Sequence, residues 1–275
     1  MVRTVVITGA ESGIGNVTAE FVERRGWRPI RVDLMEGDVC ANLAATEGHV
    51  PMVERVTTLA GGRLDAVIAC DGLTLPHPIT LQVNYFGMVA TLAGLRPLLA
   101  KGANLRAVAI SSRALLMPND PVVVAACLGG DEASSVATAE GKGEVDNALS
   151  KRALTRWIRR NAINGEWART SIRLNAIAPG MVATPMTAAM RHDPTQRRGL
   201  NQAMPMPIGQ VAHPEETAEL LAWLASPAKK SCESIGRKSG ALQVGERKKV
   251  IGFDDPNRIS GELRVRMART RRLVH

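Results

Sequence analysis

A glycine-rich turn near the start of the chain has the residue types and spacing of a phosphate-binding loop. Its glycines fall between a predicted strand at residues 2–8 and a predicted helix at residues 14–25. Glycines there permit a tight turn, let the backbone approach a pyrophosphate, and allow the helix to pack closely on the strand. Unpaired N–H groups and the dipole at the helix N-terminus attract anions. The turn therefore predicts a dinucleotide site, and the alternative is an ordinary glycine turn. The predicted contacts are Gly9, Glu11, Ser12, Gly13, Ile14 and Gly15.

Asp33 is the acidic residue that ends the second predicted strand, at residues 28–33. An acid at this distance from the glycine turn binds the adenosine ribose hydroxyls in dinucleotide-binding domains. A 2′-phosphate would be repelled by Asp33 and by Glu11, whereas Arg31 would attract it. On balance these charges favour NAD over NADP as the cofactor. The alternative is that Asp33 is a plain residue at a strand end.

The pattern T-G-x-x-x-G-I-G at residues 8–15 resembles the fingerprint of the short-chain dehydrogenase/reductase family, and later segments match that family in order. Asn84 resembles the asparagine in the middle of the family's fourth helix. Ser112 resembles its catalytic serine at a strand end, and Lys151 resembles the lysine of its Y-x-x-x-K motif. Residues 175–180, N-A-I-A-P-G, resemble the N-x-x-x-P-G turn beside the nicotinamide. The resemblance covers about residues 1–228 and implies an α/β fold, a single Rossmann-type domain with a doubly wound parallel sheet in three layers.

The family resemblance implies hydride transfer between a nicotinamide and a carbonyl or alcohol carbon. In the family, the serine binds the substrate oxygen and the tyrosine exchanges the proton, with its pKa lowered by the lysine ammonium and the cofactor's charge. The lysine also holds the nicotinamide ribose, and the asparagine anchors a water in the proton path. Further cofactor contacts are implied, including one from Thr184 to the nicotinamide carboxamide. These positions are Asn42, Asp71, Gly72, Lys151, Pro179, Gly180, Val182 and Thr184.

The spacing between the serine and tyrosine positions is unusually long for the family, because residues 114–143 lie between Ser112 and position 147. This spacing is similar to that of bacterial 3α-hydroxysteroid dehydrogenases/carbonyl reductases, which implies a small hydrophobic ketone or steroid-like substrate. Methionines after the P-G turn suit an adaptable apolar wall, although they serve equally well as core filler. The insertion lies near helices that many relatives use to assemble, so we expect a homodimer or homotetramer. The methionines are Met181, Met186, Met190, Met204 and Met206.

Position 147 is the main departure from the family, because Asn147 stands four residues before Lys151 where the motif has tyrosine. A carboxamide has no proton to exchange near neutral pH, so it binds a substrate oxygen but does not act as an acid or base. Asp146 is turned about 100° away around the helix, and Tyr85, on another helix, is expected to be structural. The residues predicted at the reacting centre are Asn84, Ser112, Asn147 and Lys151. We expect strongly reduced or absent turnover, and the competing hypothesis is a non-catalytic dinucleotide-binding protein or scaffold.

Two further positions weaken the match on the cofactor side. Asp71 replaces a small residue near the adenine ribose and pyrophosphate, which should disfavour an anionic cofactor. Asn42 stands where the family usually has an aspartate that contacts adenine. The family's closing strand is not intact after residue 228, and residues 240–244 are interpreted as its displaced remnant.

The elements that must position these residues alternate between strands and helices, which is typical of a parallel sheet covered on both faces. Short β-branched runs bounded by turn residues predict strands, and apolar residues at helical spacing predict helices. The insertion at 114–143 is expected to be irregular with short helical pieces. Predicted strands are 2–8, 28–33, 66–70, 105–111 and 171–177; predicted helices are 14–25, 52–59, 79–100, 145–163 and 214–225.

Charge is distributed unevenly along the 275 residues, whose net charge is +9. Residues 229–275 hold 13 Lys/Arg and 5 Asp/Glu, against 22 and 21 in residues 1–228. This basic C-terminal segment is interpreted as a mobile tail, and no zinc pattern or aromatic platform supports specific nucleic-acid recognition. Histidines and cysteines do not cluster at ligand spacing, so no metal is expected. With no signal peptide, no membrane span and no disulfide pattern, we expect a cytoplasmic protein.

Overall fold

The computed structural model describes residues 2–141, 147–203 and 211–227. Within these residues, a six-stranded parallel sheet has the order β3-β2-β1-β4-β5-β6. The strand order reverses between β1 and β4, which is the switch point of a doubly wound sheet. The predicted α/β Rossmann-type fold is therefore confirmed. The strands are β1 (Thr4–Thr8), β2 (Arg28–Asp33), β3 (Val39–Cys40), β4 (Ala66–Ala69), β5 (Arg106–Ile110) and β6 (Arg173–Ile177).

Helices cover both faces of the sheet. They are α1 (Gly13–Arg24), α2 (Thr46–Leu59), α3 (Pro78–Leu81), α4 (Met88–Leu99), α5 (Pro121–Gly129), α6 (Glu132–Gly141), α7 (Asn147–Asn161), α8 (Ala188–His192), α9 (Pro194–Ala203) and α10 (Pro214–Ala225), with a π segment at Gln82–Gly87 and 3₁₀ turns at Arg113–Leu116 and Pro185–Thr187. Alternate strand residues supply two separate apolar cores. Val6 and Val67 lie in the core on the face of the sheet that α2, α4 and α7 cover. Val5 and Ile68 lie in the core on the opposite face, which α1 and α10 cover. Burial on both faces explains why the strands are continuously apolar.

The largest correction concerns the insertion, which is mostly helical rather than irregular. α5 begins at a marked boundary, because Asp120 accepts a hydrogen bond from the N–H of Val122 and Pro121 occupies the first helical position. α6 is tied to the rest of the domain by Glu132, whose carboxylate accepts hydrogen bonds from Gln82 (2.9 Å) and Thr46 (3.3 Å). The insertion therefore packs as part of the domain.

The long helix predicted at 79–100 is a second correction, because it contains the π segment Gln82–Gly87. A π turn adds one residue to a helical turn and is frequent at functional sites. Gly87 ends this segment, where a Cβ would lie 2.5 Å from the carbonyl oxygen of Leu43. The close approach of this helix to the loop before α2 therefore requires glycine.

Several predictions fall outside the described residues. They concern Asp146, Met204, Met206, residues 142–143 of the insertion, the remnant strand at 240–244 and the basic segment 229–275. Among the described cysteines, Cys127 is buried and Cys40 is exposed. Within the described residues, no helix combines the length and apolar character that crossing a membrane requires.

Candidate active site

A cleft of about 620 Å³ opens at the carboxyl ends of the central strands. Parallel strands bring the loops that follow them to one edge of the sheet, which is where such folds bind ligands. Most of the predicted site residues line this cleft. They are Gly9, Ser12, Gly13, Ile14, Gly15, Asp33, Asn42, Asp71, Gly72, Ser112, Asn147, Lys151, Pro179, Gly180, Val182 and Thr184. Glu11 and Asn84 are not in the cleft wall but contact residues that are.

The glycine turn has the backbone conformation that its residues require. Gly9 and Gly13 have φ values of +63° and +50°, which residues with a side chain rarely adopt. A Cβ at Gly15 would overlap the carbonyl oxygen of Gly9. Among the described residues, no side chain caps the start of α1, since Ser12 makes no capping hydrogen bond. The N–H groups at this helix end therefore face a concave, glycine-lined surface suited to an anion.

The acidic end of the cleft is arranged around Asp33, which ends β2. Its carboxylate accepts hydrogen bonds from the N–H groups of Glu11 (3.0 Å) and Leu34 (2.7 Å). Arg31 turns to other partners, because its guanidinium pairs with Glu23 at 3.1 Å and Glu11 at 3.8 Å. The arginine that complicated the cofactor prediction is thus held by two carboxylates. The Oδ1 of Asn42 accepts a hydrogen bond from the N–H of Ala44 (3.0 Å), which forms a local turn.

Asp71 borders the cleft beside the glycine turn. A Cβ added to Gly9 would lie 3.1 Å from the backbone nitrogen of Asp71. Although the residue is partly exposed, its Oδ2 is buried and has no hydrogen-bond partner among the described residues. Burial raises the pKa of this carboxyl to about 6; the nearby Asp33 charge also raises it, while Thr8 and Lys151 oppose the shift. An incompletely paired carboxyl therefore lies beside the proposed phosphate site.

Lys151 is buried at the centre of the cleft on α7. Its Nζ donates hydrogen bonds to the carbonyl oxygens of Ile110 (2.8 Å) and Asp71 (3.4 Å). Burial lowers the pKa of this amine to about 8, although the charge of Asp71 opposes that shift. The lysine is therefore a fixed cation below pH 8, with one of its three N–H donors left over.

Asn84 and Asn147 come together beside Lys151. Asn84 lies in the π segment and is completely buried. Its Nδ2 has two hydrogens and three acceptors within hydrogen-bonding distance, so two of the acceptors share one hydrogen. The acceptors are the carbonyl oxygen of Leu73 (2.9 Å), Oγ of Ser150 (3.0 Å) and Oδ1 of Asn147 (3.2 Å). The contact between the two asparagines was not predicted. It depends on the π segment, which no periodicity in the sequence indicated.

The two serines after β5 have different environments. Ser111 is buried, and its Oγ lies 2.7 Å from Oγ1 of Thr155 on α7. Both serines border the cleft, but the Oγ of Ser112 has a different partner and accepts a hydrogen bond from the N–H of Ala114 (3.1 Å). Because the Ser111 hydroxyl is already paired with Thr155, Ser112 stays the serine predicted to face a bound molecule.

Apolar residues form the remaining wall of the cleft. Met181, Met186 and Met190 contribute as predicted. Sequence reasoning missed Leu73, Ile79, Val83 and Met117. Their signal was available, because each is an apolar residue in a loop or helix start that follows a strand end. Tyr85, by contrast, is 2% exposed and packs edge-on against Phe86, as expected for a structural residue. No three His, Cys, Asp or Glu side chains come together to hold a metal ion within the described ranges.

Comparison with known proteins agrees with this architecture. The 3-alpha-hydroxysteroid dehydrogenase/carbonyl reductase of Comamonas testosteroni is 33% identical over 234 residues, covering 82% of this chain and 90% of that protein. The cis-4-hydroxycyclohexanecarboxylate dehydrogenase of Sinomonas cyclohexanicum is 31% identical with the same coverage. Among solved structures, the 3-alpha-hydroxysteroid dehydrogenase from Pseudomonas sp. B-0831, complexed with NADH, has a TM-score of 0.76 at 35% identity, covering 82% of this chain and 90% of that one. A family model described as enoyl-(acyl carrier protein) reductase matches residues 132–234. The chain therefore belongs to the short-chain dehydrogenase/reductase family of oxidoreductases.

Proposed function

We propose that this protein binds NAD and an apolar carbonyl compound in the described cleft, and that its turnover as a dehydrogenase or carbonyl reductase is strongly reduced. The observation that carries the proposal is Asn147. This carboxamide lines the cleft beside Lys151 and contacts Asn84, where the family motif has a tyrosine. The cleft thus keeps binding groups but lacks the proton donor.

The glycine turn and its surroundings support a dinucleotide. The N–H groups at the start of α1 would hold the pyrophosphate, and Lys151 would hold the nicotinamide ribose. Thr184 would contact the nicotinamide carboxamide, and its methyl group lies 3.5 Å from the position of a Cβ on Gly13. Asp71 is the one residue that fits poorly, because a carboxylate there repels phosphate.

The preference for NAD over NADP is supported by Asp33 and Arg31. Asp33 would accept hydrogen bonds from the adenosine ribose hydroxyls and would repel a 2′-phosphate. Arg31 would be the nearest cation for such a phosphate, but its guanidinium is already paired with Glu11 and Glu23. Breaking those pairs would oppose NADP binding.

The chemistry of the bound cofactor is hydride transfer to or from the carbon of the substrate's C–O group. The protein's own residues would bind the substrate oxygen through Ser112 and Asn147. Lys151 supplies positive charge at this end of the cleft. General acid–base catalysis is typically worth about 10²–10⁴-fold in rate, and a carboxamide forfeits that contribution. We therefore propose slow hydride transfer as the residual activity, with solvent water giving the proton to the alkoxide oxygen, or taking it from the alcohol in the reverse direction.

The substrate class follows from the apolar wall and from the relatives. Leu73, Met117, Met181 and Met190 line the same cleft as Ser112. The relatives are named for hydroxysteroids, carbonyl compounds and a hydroxycyclohexanecarboxylate. We propose a cyclic, largely apolar ketone or secondary alcohol. Assembly as a homodimer or homotetramer and a cytoplasmic location stay predictions.

A second candidate function is non-catalytic dinucleotide binding. Asn147 favours it, because this carboxamide removes the proton donor whereas the glycine turn and Asp33 still line the cleft. Such a protein would use the cofactor as a structural or sensory ligand.

Measuring NADH oxidation with a panel of apolar ketones, for this protein and for Asn147→Tyr, separates the two candidates. We expect the tyrosine variant to be at least about 100-fold faster. Equal and substantial rates in both proteins would refute the role assigned to position 147. Calorimetric titration with NADH supplies the control, since a lack of binding in both proteins would refute the cofactor proposal.

A further inference from the structure

We infer that Ser112 and Asn147 both present hydrogen-bond donors to the bound molecule, so that the cleft selects a ketone over the corresponding alcohol. This inference rests on the proposed function, because it concerns the carbonyl ligand of the same cleft. It depends on the orientation of two carboxamides and one hydroxyl group.

The orientation of the Asn84 carboxamide is fixed by the backbone of Leu73. Its Oδ1 accepts from the Leu73 N–H at 2.7 Å, and its Nδ2 donates to the Leu73 carbonyl oxygen at 2.9 Å. A peptide N–H only donates and a peptide carbonyl only accepts. Exchanging the oxygen and nitrogen of Asn84 would break both bonds, so its Nδ2 must face Asn147.

Asn84 in turn fixes the orientation of Asn147. One hydrogen of Asn84 Nδ2 goes to the Leu73 carbonyl oxygen. The other is shared between Oγ of Ser150 at 3.0 Å and Oδ1 of Asn147 at 3.2 Å. The reversed carboxamide would set two N–H₂ groups against each other, which leaves donors unpaired. The Nδ2 of Asn147 is therefore its free polar group, and none of the described residues accepts a hydrogen bond from it. Because Asn147 lines the cleft, this donor is available to a ligand.

Ser112 is also a donor toward the ligand. Its Oγ already accepts a hydrogen bond from the N–H of Ala114 at 3.1 Å. Within the described part of the chain no group accepts the Ser112 hydroxyl hydrogen. Ser111 differs, because its hydroxyl is paired with Thr155 at 2.7 Å. The Ser112 hydrogen is thus free to point into the cleft.

A ketone oxygen has two lone pairs and accepts from both groups. An alcohol oxygen also has two lone pairs and can accept from both groups, but the alcohol must in addition place its own hydrogen. The alcohol could donate its hydrogen to the Ser112 oxygen only if the serine hydroxyl rotated. The serine hydrogen would then point to where no described residue accepts it. The alcohol therefore forfeits about one net hydrogen bond, which corresponds to about fivefold weaker binding.

The test compares 2-decalone and 2-decalol, a ketone and alcohol of nearly equal size, by calorimetric titration of the full chain. Variants are Asn147→Asp, which replaces the donor by an acceptor of the same shape, Ser112→Ala, and Ser111→Ala as the matched control. A ketone labelled with ¹³C at the carbonyl reports the donors directly, because its resonance moves downfield when the oxygen accepts hydrogen bonds.

We expect the native chain to bind the ketone about fivefold more tightly and Asn147→Asp to prefer the alcohol. The downfield shift should decrease in Ser112→Ala and remain in Ser111→Ala. Equal affinities for the two compounds, or an unchanged preference in Asn147→Asp, would overturn this inference and leave the proposed function standing. Failure of both compounds to bind, with NADH binding intact, would overturn the inference together with the proposed carbonyl ligand.

Discussion

Replacing Asp71 by asparagine should tighten NADH binding by an amount that depends on pH. Asp71 borders the glycine turn, and its buried Oδ2 has no partner among the described residues. Asparagine keeps the shape of the side chain and removes its charge. The variant therefore isolates the electrostatic effect of this carboxyl on an anionic ligand.

The raised pKa of Asp71 limits how large the penalty can be. When a charged carboxylate opposes the cofactor, the protein has the alternative of taking up a proton and binding with Asp71 neutral. With a pKa of about 6, about one molecule in eleven carries neutral Asp71 at pH 7. Binding through this form weakens the apparent affinity by about tenfold, or about 1.4 kcal/mol. The largest weakening of NADH binding that Asp71 can cause is about a hundredfold at pH 8, and this weakening nearly vanishes at pH 5.

The sign of the pH dependence follows from the same reasoning. Asp71 is neutral below pH 6, so NADH affinity of the native chain should fall as pH rises through that value. In Asp71→Asn this part of the dependence should disappear. Lys151 adds a separate loss of affinity as pH rises through about 8, because its amine then loses its charge. That second loss should remain in the variant.

Calorimetric titration with NADH at pH 5, 6, 7 and 8 measures both effects. Glu54→Gln is the control, because it removes a negative charge from an exposed position on α2. Binding of NADH that is equally tight in Asp71→Asn and the native chain at pH 8 would refute the electrostatic role of Asp71. A gain in NADH affinity clearly larger than about tenfold at pH 7 would contradict the limit set by the pKa of Asp71.

Three further substitutions test the cofactor preference and the packing. Asp33→Asn should lower the ratio of NADH to NADPH affinity at least about tenfold, since a 2′-phosphate no longer meets that charge; an unchanged ratio in parallel titrations would be inconsistent with its ribose role. Gly87→Ala should destabilise the fold by about 1–3 kcal/mol in urea unfolding, because the added methyl group meets the Leu43 carbonyl at 2.5 Å, whereas Gly129→Ala, which meets nothing within 4 Å, should be nearly neutral. Trp167→Ala should cost about 3–5 kcal/mol in the same assay, since this side chain is 1% exposed and packs edge-on against Trp157; a loss below 1 kcal/mol would contradict its place in the core.

Elements with chemical markers at both ends were predicted closely. The bounds of β2 and α10 agree with their predicted ranges. α10 begins with Pro214 at its first position, and the N–H of His213 donates a hydrogen bond to the Glu216 carboxylate (2.7 Å). These local signals do not depend on the rest of the fold. The insertion was predicted less well because α5 is apolar almost throughout, which gives no helical periodicity.

The candidate site could be predicted as a set of positions but not as a hydrogen-bond network. Family motifs indicated Ser112, Asn147 and Lys151, and parallel-strand topology brings them to one edge. Which atom of each side chain faces the ligand depends on tertiary contacts that have no sequence signal. Asn84 shows this most clearly, because its role in orienting Asn147 follows from the π segment and from the backbone of Leu73.

The attachment of Glu132 has a consequence for the engineering of this chain. The carboxylate bridges the first residue of α2 and the first residue of the π segment, through Thr46 and Gln82. Excising the insertion to imitate a shorter relative would remove this bridge. The start of α2, which follows the Leu43 loop, and the π segment, which contains Asn84, would then no longer be joined through Glu132. A chimera that exchanges the insertion between relatives should therefore carry the Thr46, Gln82 and Glu132 positions together as one transferable unit.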